Sequence, residues 1–155
     1  MARARHVAAS VVYLGLALWI MRPVLPSMAE SYPMWAAAGA SPISDGDESH
    51  MIWAATRTAR TLATAPWRLW RYEICYPFPN AVALGHHGYA SALLAAMPYA
   101  ITGEPVLAHN VVSLLMLWLS AIGMYALAFY WTRSPPAAFV AGLLFAIQPV
   151  RLFTV

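Results

Sequence analysis

The chain has 155 residues, 61% of them hydrophobic and 10% charged, with a formal net charge of +3. An ordinary soluble domain carries about 25% charged residues, so this composition points to an integral membrane protein. All nine basic side chains are arginine and none forms a run that a nucleic acid could follow, and a lone cysteine, Cys75, excludes an internal disulfide.

Residues 1–26 read as a cytoplasmic N-terminus and a first transmembrane helix. The apolar run Val7 to Met21 is short, but Arg22 can snorkel and Pro23 to Pro26 can extend it. Arg3 and Arg5 also resemble the basic start of a signal peptide. No small-x-small cleavage site follows at once, so the run is taken as an uncleaved span with its N-terminus inside.

Residues 27–104 form an extracytoplasmic or interfacial region. Ser27 to Asp45 is rich in Pro, Gly, Ser and Ala and reads as loop. An amphipathic helix is expected over 49–65, with Ile52, Ala55, Ala59, Leu62 and Ala63 near one face and Arg57, Arg60 and Thr64 on a more polar side. Pro66 ends it. Trp67, Trp70 and Tyr72 alternate with Arg68 and Arg71, a pattern suited to lipid headgroups; with Arg57 and Arg60 these are the candidate lipid-contact residues. A short apolar helix follows over 88–101. Its core, Tyr89 to Ile101, contains Pro98 and is short for a span, so it is expected to be re-entrant or interfacial.

Residues 105–131 form the second transmembrane helix, free of charge between Glu104 and Arg133. A turn at 132–136 leads to a third transmembrane helix and the C-terminus, 137–155, whose apolar run is Ala137 to Val150. The expected fold is therefore all-α and membrane-integral. It has three transmembrane helices, an extracytoplasmic amphipathic helix and a short re-entrant or interfacial helix. With the N-terminus inside, three spans place Arg133 inside; if Tyr89 to Ile101 crossed as well, Arg133 would lie outside. Small residues that let helices approach are Ser113, Ser120 and Gly123 on the second span and the Ala138/Gly142 pair on the third.

Chemistry-bearing residues gather in SDGDESH, Ser44 to His50, which holds three of the six acidic residues. Asp45, Asp47, Glu48 and His50 offer oxygen and nitrogen donors to a divalent metal. Equally, Ser44, Asp45 or Asp47 can cap the helix that follows, where acidic groups suit the positive end. His86 and His87 are further candidate metal or pigment ligands, although adjacent imidazoles point apart on most backbones, and interfacial hydrogen bonding is the plainer reading. His109 and Asn110 begin the second span and invite the same treatment.

The order of these features carries a resemblance. Gly46-Asp47 before an apolar helix with Trp53, then YPFPNAVAL (Tyr76 to Leu84), ITGEPVLAHNVVSLL and AIGMYALAFYWTRSPPAAFVAGLLFAIQPVR follow one another. Together they resemble the N-terminal part of bacterial GT-C-type, mannosyltransferase-like membrane glycosyltransferases, from about Leu14 to Arg151. Asn110, Gly123, Tyr125, Gly142 and Arg151 fall where that family shows those residues. The resemblance implies sugar transfer from a polyprenyl-phosphate donor outside the cytoplasm, with Asp47 as catalytic base. Family members have many more spans, so the resemblance is to a truncated scaffold. The expectation is a non-catalytic accessory or structural subunit of a larger membrane complex, of respiratory or photosynthetic type among others. It would sit in the bacterial inner membrane with its main loop periplasmic, and its partners would be other integral membrane proteins and lipids. The alternatives are a fragment of a polyprenyl-phosphate-sugar-dependent glycosyltransferase and a membrane metal- or cofactor-binding module.

Overall fold

The computed structural model describes residues 2–32, 43–71, 77 and 89–148, with side chains for 4–32, 49–71, 77 and 89–148. Among the described residues all regular structure is helical: α1 (Ala2–Met21), α2 (Ile43–Thr64), α3 (Tyr89–Thr102), α4 (Pro105–Thr132) and α5 (Pro135–Ala146), with 3-10 turns at Leu25–Ser27 and Pro66–Arg68.

The boundaries follow local chemistry. Ala65 leaves the helical region (φ −154°, ψ 66°), as the following Pro66 favours, and ends α2. Gly103 closes α3 in the left-handed conformation (φ 75°), donating to the Tyr99 carbonyl at 2.8 Å. Pro105 then opens α4 at a position where a missing N–H costs nothing. The α4–α5 connection is only Arg133 and Ser134. Arg133 occupies the left-handed region (φ 54°) and its N–H donates to the Phe129 carbonyl at 2.9 Å. Arginine takes here the place usually given to glycine, at a cost of roughly 1–2 kcal/mol. Pro135 and Pro136 start α5.

One expectation is corrected. α2 starts at Ile43, so Ser44 to Glu48 lie within the helix and not before it. None of them is its cap. α3 runs through Pro98 for 14 residues. Even so, 14 residues rise only about 21 Å, short of a hydrocarbon core of roughly 30 Å.

The chain divides into two compact units, Met1–Trp35 with Ser113–Val155, and Ala36–Val112. In the first, α1 and α4 run antiparallel. His6 meets Tyr125 and Phe129, the Trp118 indole donates to the Ser10 carbonyl at 3.0 Å, and Ala17, Ile20 and Met21 pack with Leu117. α5 joins them through Ala138, Gly142 and Ala146, all buried and one turn apart. A methyl group on Gly142 would meet the Tyr13 hydroxyl, approach the Tyr13 Cζ at 2.6 Å and the Ala121 carbonyl oxygen at 3.0 Å. The Ala138/Gly142 pair is thus a true contact face. Gly123, by contrast, is exposed and has open space around it, so it is not a packing point.

In the second unit α2 lies on α3 through small side chains. Ala55, Ala92, Ala95, Ala108 and Val112 form its core, joined by Tyr99. The buried positions of α2 are Ala54, Ala55 and Thr58; Leu62, expected on that face, is 38% exposed. Alanines let two backbones approach closely, and that proximity selects the buried face more strongly than side-chain size.

Two helices, Ala4–Met21 and Pro105–Thr132, are long and apolar enough to cross a membrane, and only 28% and 33% of their most apolar windows is buried within the chain. The described part of α5 is 12 residues, ending where Pro149 approaches, and rises about 18 Å.

Candidate functional site

The second unit builds its polar geometry around the end of α2. Past Thr64 the chain turns at Pro66–Arg68, leaving carbonyls without helical partners. Arg57 reaches forward to them. Its Nη1 donates to the Leu69 carbonyl at 3.2 Å and its Nη2 to the Arg68 carbonyl at 3.3 Å. The Tyr89 hydroxyl donates to the same Leu69 oxygen at 3.0 Å. Burial pushes the Tyr89 phenol above its usual range, and the Arg57 guanidinium pulls the other way. Trp70 sets its ring edge-on to Tyr89, with centroids 5.2 Å apart. One turn further along α2, the Arg60 Nε donates to the Tyr99 hydroxyl at 3.3 Å.

This clamp presents the segment that follows. Trp67 is 76% and Trp70 55% exposed, and Arg68 and Arg71 are exposed beside them. α3 contributes an exposed apolar stripe of Leu93, Leu94, Met97 and Ile101. Amphipathic rings next to guanidiniums, with an uncovered apolar helix in the same unit, form a surface chemically matched to a headgroup layer. Arg57, one of the candidate lipid-contact residues, also braces a turn. Arg60, Trp67, Arg68, Trp70 and Arg71 are exposed, and Tyr72 lies outside the described residues.

The candidate metal and catalytic positions fare differently. His50 stands beside Trp53, with ring centroids 5.8 Å apart. The backbone of Asp45, Asp47 and Glu48 belongs to the start of α2, while their side chains, and all of His86 and His87, lie outside the described residues. Among the described residues no three His, Cys, Asp or Glu side chains gather as a metal site.

A second polar cluster, in the first unit, escaped the sequence reading. His6 Nδ1 and the Tyr125 hydroxyl are 2.6 Å apart. The Tyr13 hydroxyl donates to the Phe139 carbonyl at 3.0 Å, and the Tyr13 and Phe139 rings stack. The signal was present: His6, Ser10 and Tyr13 recur at helical spacing along an otherwise apolar span, and each position makes an interhelical bond. Aromatic residues also mark both ends of this unit. Trp19 lies under the Arg22 guanidinium at 4.7 Å, and Tyr130 lies near that of Arg133 at 5.6 Å. From Arg5 to Arg22 a helix rises about 25 Å, close to the thickness of a bilayer's apolar layer. No protein-family model, curated protein or solved structure matches the chain.

Proposed function

We propose that this is a multi-pass protein of the bacterial inner membrane, serving as a non-catalytic structural or accessory subunit of a larger membrane assembly on a glycosyltransferase-like scaffold. The observation that carries this reading is the uncovered apolar surface of the long helices. Val7, Val11 and Trp19 on α1 and Leu119, Leu127 and Trp131 on α4 are all exposed. A long apolar helix buried for only a third of its length needs lipid or a partner helix around it. The polar groups that do occur inside the first unit join helices to one another, which suits a scaffold.

The antiparallel α1 and α4 support a topology for this reading. An even number of crossings must separate them. On this reading no crossing falls between α1 and α4, and the region joining them is periplasmic, with Arg3 and Arg5 holding the N-terminus in the cytoplasm. Arg133 then shares the cytoplasmic side with Arg5. α5 fills the third helical place, tied to α4 by its short connection.

Cys75 is the single thiol of the chain and reports this directly. A membrane-impermeant maleimide is expected to label it in intact spheroplasts, whereas a Cys75→Ser, Ala4→Cys variant should label only after lysis. Labelling of the Ala4→Cys variant in intact spheroplasts would reverse the topology, and release of the chain by alkaline carbonate would end the membrane reading. Native mass spectrometry after mild-detergent purification tests the subunit role. Stoichiometric recovery with other membrane proteins is expected; recovery as a lone monomer would count heavily against it.

A further inference from the structure

We infer that the groove between α1 and α4, at the end where α1 begins, binds an anionic phospholipid. This rests on the membrane reading above and adds a ligand to it. The groove is lined by His6, Ser10, Tyr13, Ile122, Phe129 and Arg133, among others. Its walls are firm. Tyr125 and Phe129 stack one turn apart with their rings 4° from parallel, and His6 closes edge-on to Phe129 at 5.0 Å. Apolar walls of this kind accept an acyl chain.

The charge at this end is one-sided. Arg133 lines the groove at the end of α4, and its backbone is fixed by the left-handed turn and the bond to Phe129. Arg5 is exposed in the first turns of α1. Among the described residues of this unit the one carboxylate side chain is Glu30, which follows the opposite end of α1. No carboxylate among the described residues is paired with Arg133. A phosphodiester supplies the missing anion while its acyl chain covers the apolar walls, and arginine is well suited to bind it. A free phosphate would leave the walls uncovered, and a neutral zwitterionic lipid would gain less from the guanidinium. A companion groove on the other side of α1, between Arg5, Val12, Pro135 and Phe139, repeats the same pairing of apolar wall and arginine.

The test uses the full chain in detergent micelles containing equal amounts of phosphatidylglycerol and phosphatidylcholine, read by native mass spectrometry. Wild type should retain phosphatidylglycerol several-fold over phosphatidylcholine. Arg133→Gln should lose most of that preference, Arg133→Lys should keep most of it, and Arg22→Gln, at the other end of α1, should match wild type. Added inorganic phosphate should not displace the lipid. Equal retention of the two lipids by wild type, or equal phosphatidylglycerol retention by wild type and Arg133→Gln, overturns the inference. Equal melting temperatures of the Gln and Lys variants separate lost binding from lost folding. A chain that resists carbonate extraction yet shows no lipid preference defeats this site alone; a chain that carbonate releases defeats the membrane reading itself.

Discussion

Gly142→Ala is expected to destabilise the first unit by about 1–3 kcal/mol, measured by thermal or SDS unfolding in detergent. The added methyl would meet the Tyr13 phenol, with Cζ at 2.6 Å, and the Ala121 carbonyl oxygen at 3.0 Å. A flexible side-chain tip could swing away, but neither obstacle is one. Tyr13 is 1% exposed, stacked on Phe139 and bonded to its carbonyl, and Ala121 belongs to the α4 backbone. Three helices must therefore shift together or separate. The signature is non-additivity: with Tyr13→Ala already present, Gly142→Ala should cost distinctly less, because the obstacle is gone. Additive losses would show that Gly142 and Tyr13 do not oppose each other.

Arg57→Ala is expected to destabilise the second unit by roughly 2 kcal/mol, in the range for hydrogen bonds made by a charged donor. Two carbonyls, those of Arg68 and Leu69, lose their guanidinium donor at once. The effect should be local. Amide exchange should quicken at Leu69 and Arg71, whose N–H groups close the turns onto Pro66 and Arg68. The Trp67 and Trp70 fluorescence should change with it. Arg57→Lys should rescue only part of the loss, because a point ammonium cannot reproduce the planar fork that spans two adjacent carbonyls. Unchanged exchange across 66–71 in the alanine variant would refute the clamp.

Much of the helical layout was legible because its punctuation is local. Pro105, the end of charge-free sequence before Arg133, and Pro66 marked the bounds of α4 and α2 nearly to the residue. The start of α2 was misread because Ser44, Asp45, Gly46 and Asp47 are weak helix formers, and local propensity argued for loop where the backbone is helical. Pro98, whose missing donor disfavours helix, lies inside α3 all the same, where Ala92 and Ala95 belong to the alanine core shared with Ala55 of α2. The bracing role of Arg57 was hidden because its partners are backbone carbonyls, which no sequence pattern advertises. The His6, Ser10 and Tyr13 face went unread although its spacing is helical, and its partners Tyr125 and Phe139 lie more than a hundred positions away.

That last separation shapes how the protein comes into being. Tyr13 and the Phe139 carbonyl that accepts its hydroxyl are 126 residues apart, and at synthesis rates of roughly 5–20 residues per second the gap lasts on the order of ten seconds. Through that interval α1 is already made while the slot at Gly142 does not yet exist. This bond of α1 therefore forms only once α5 has been made. Until then its tyrosine is unclaimed, and α1 is open to capture by a chaperone or the wrong neighbour.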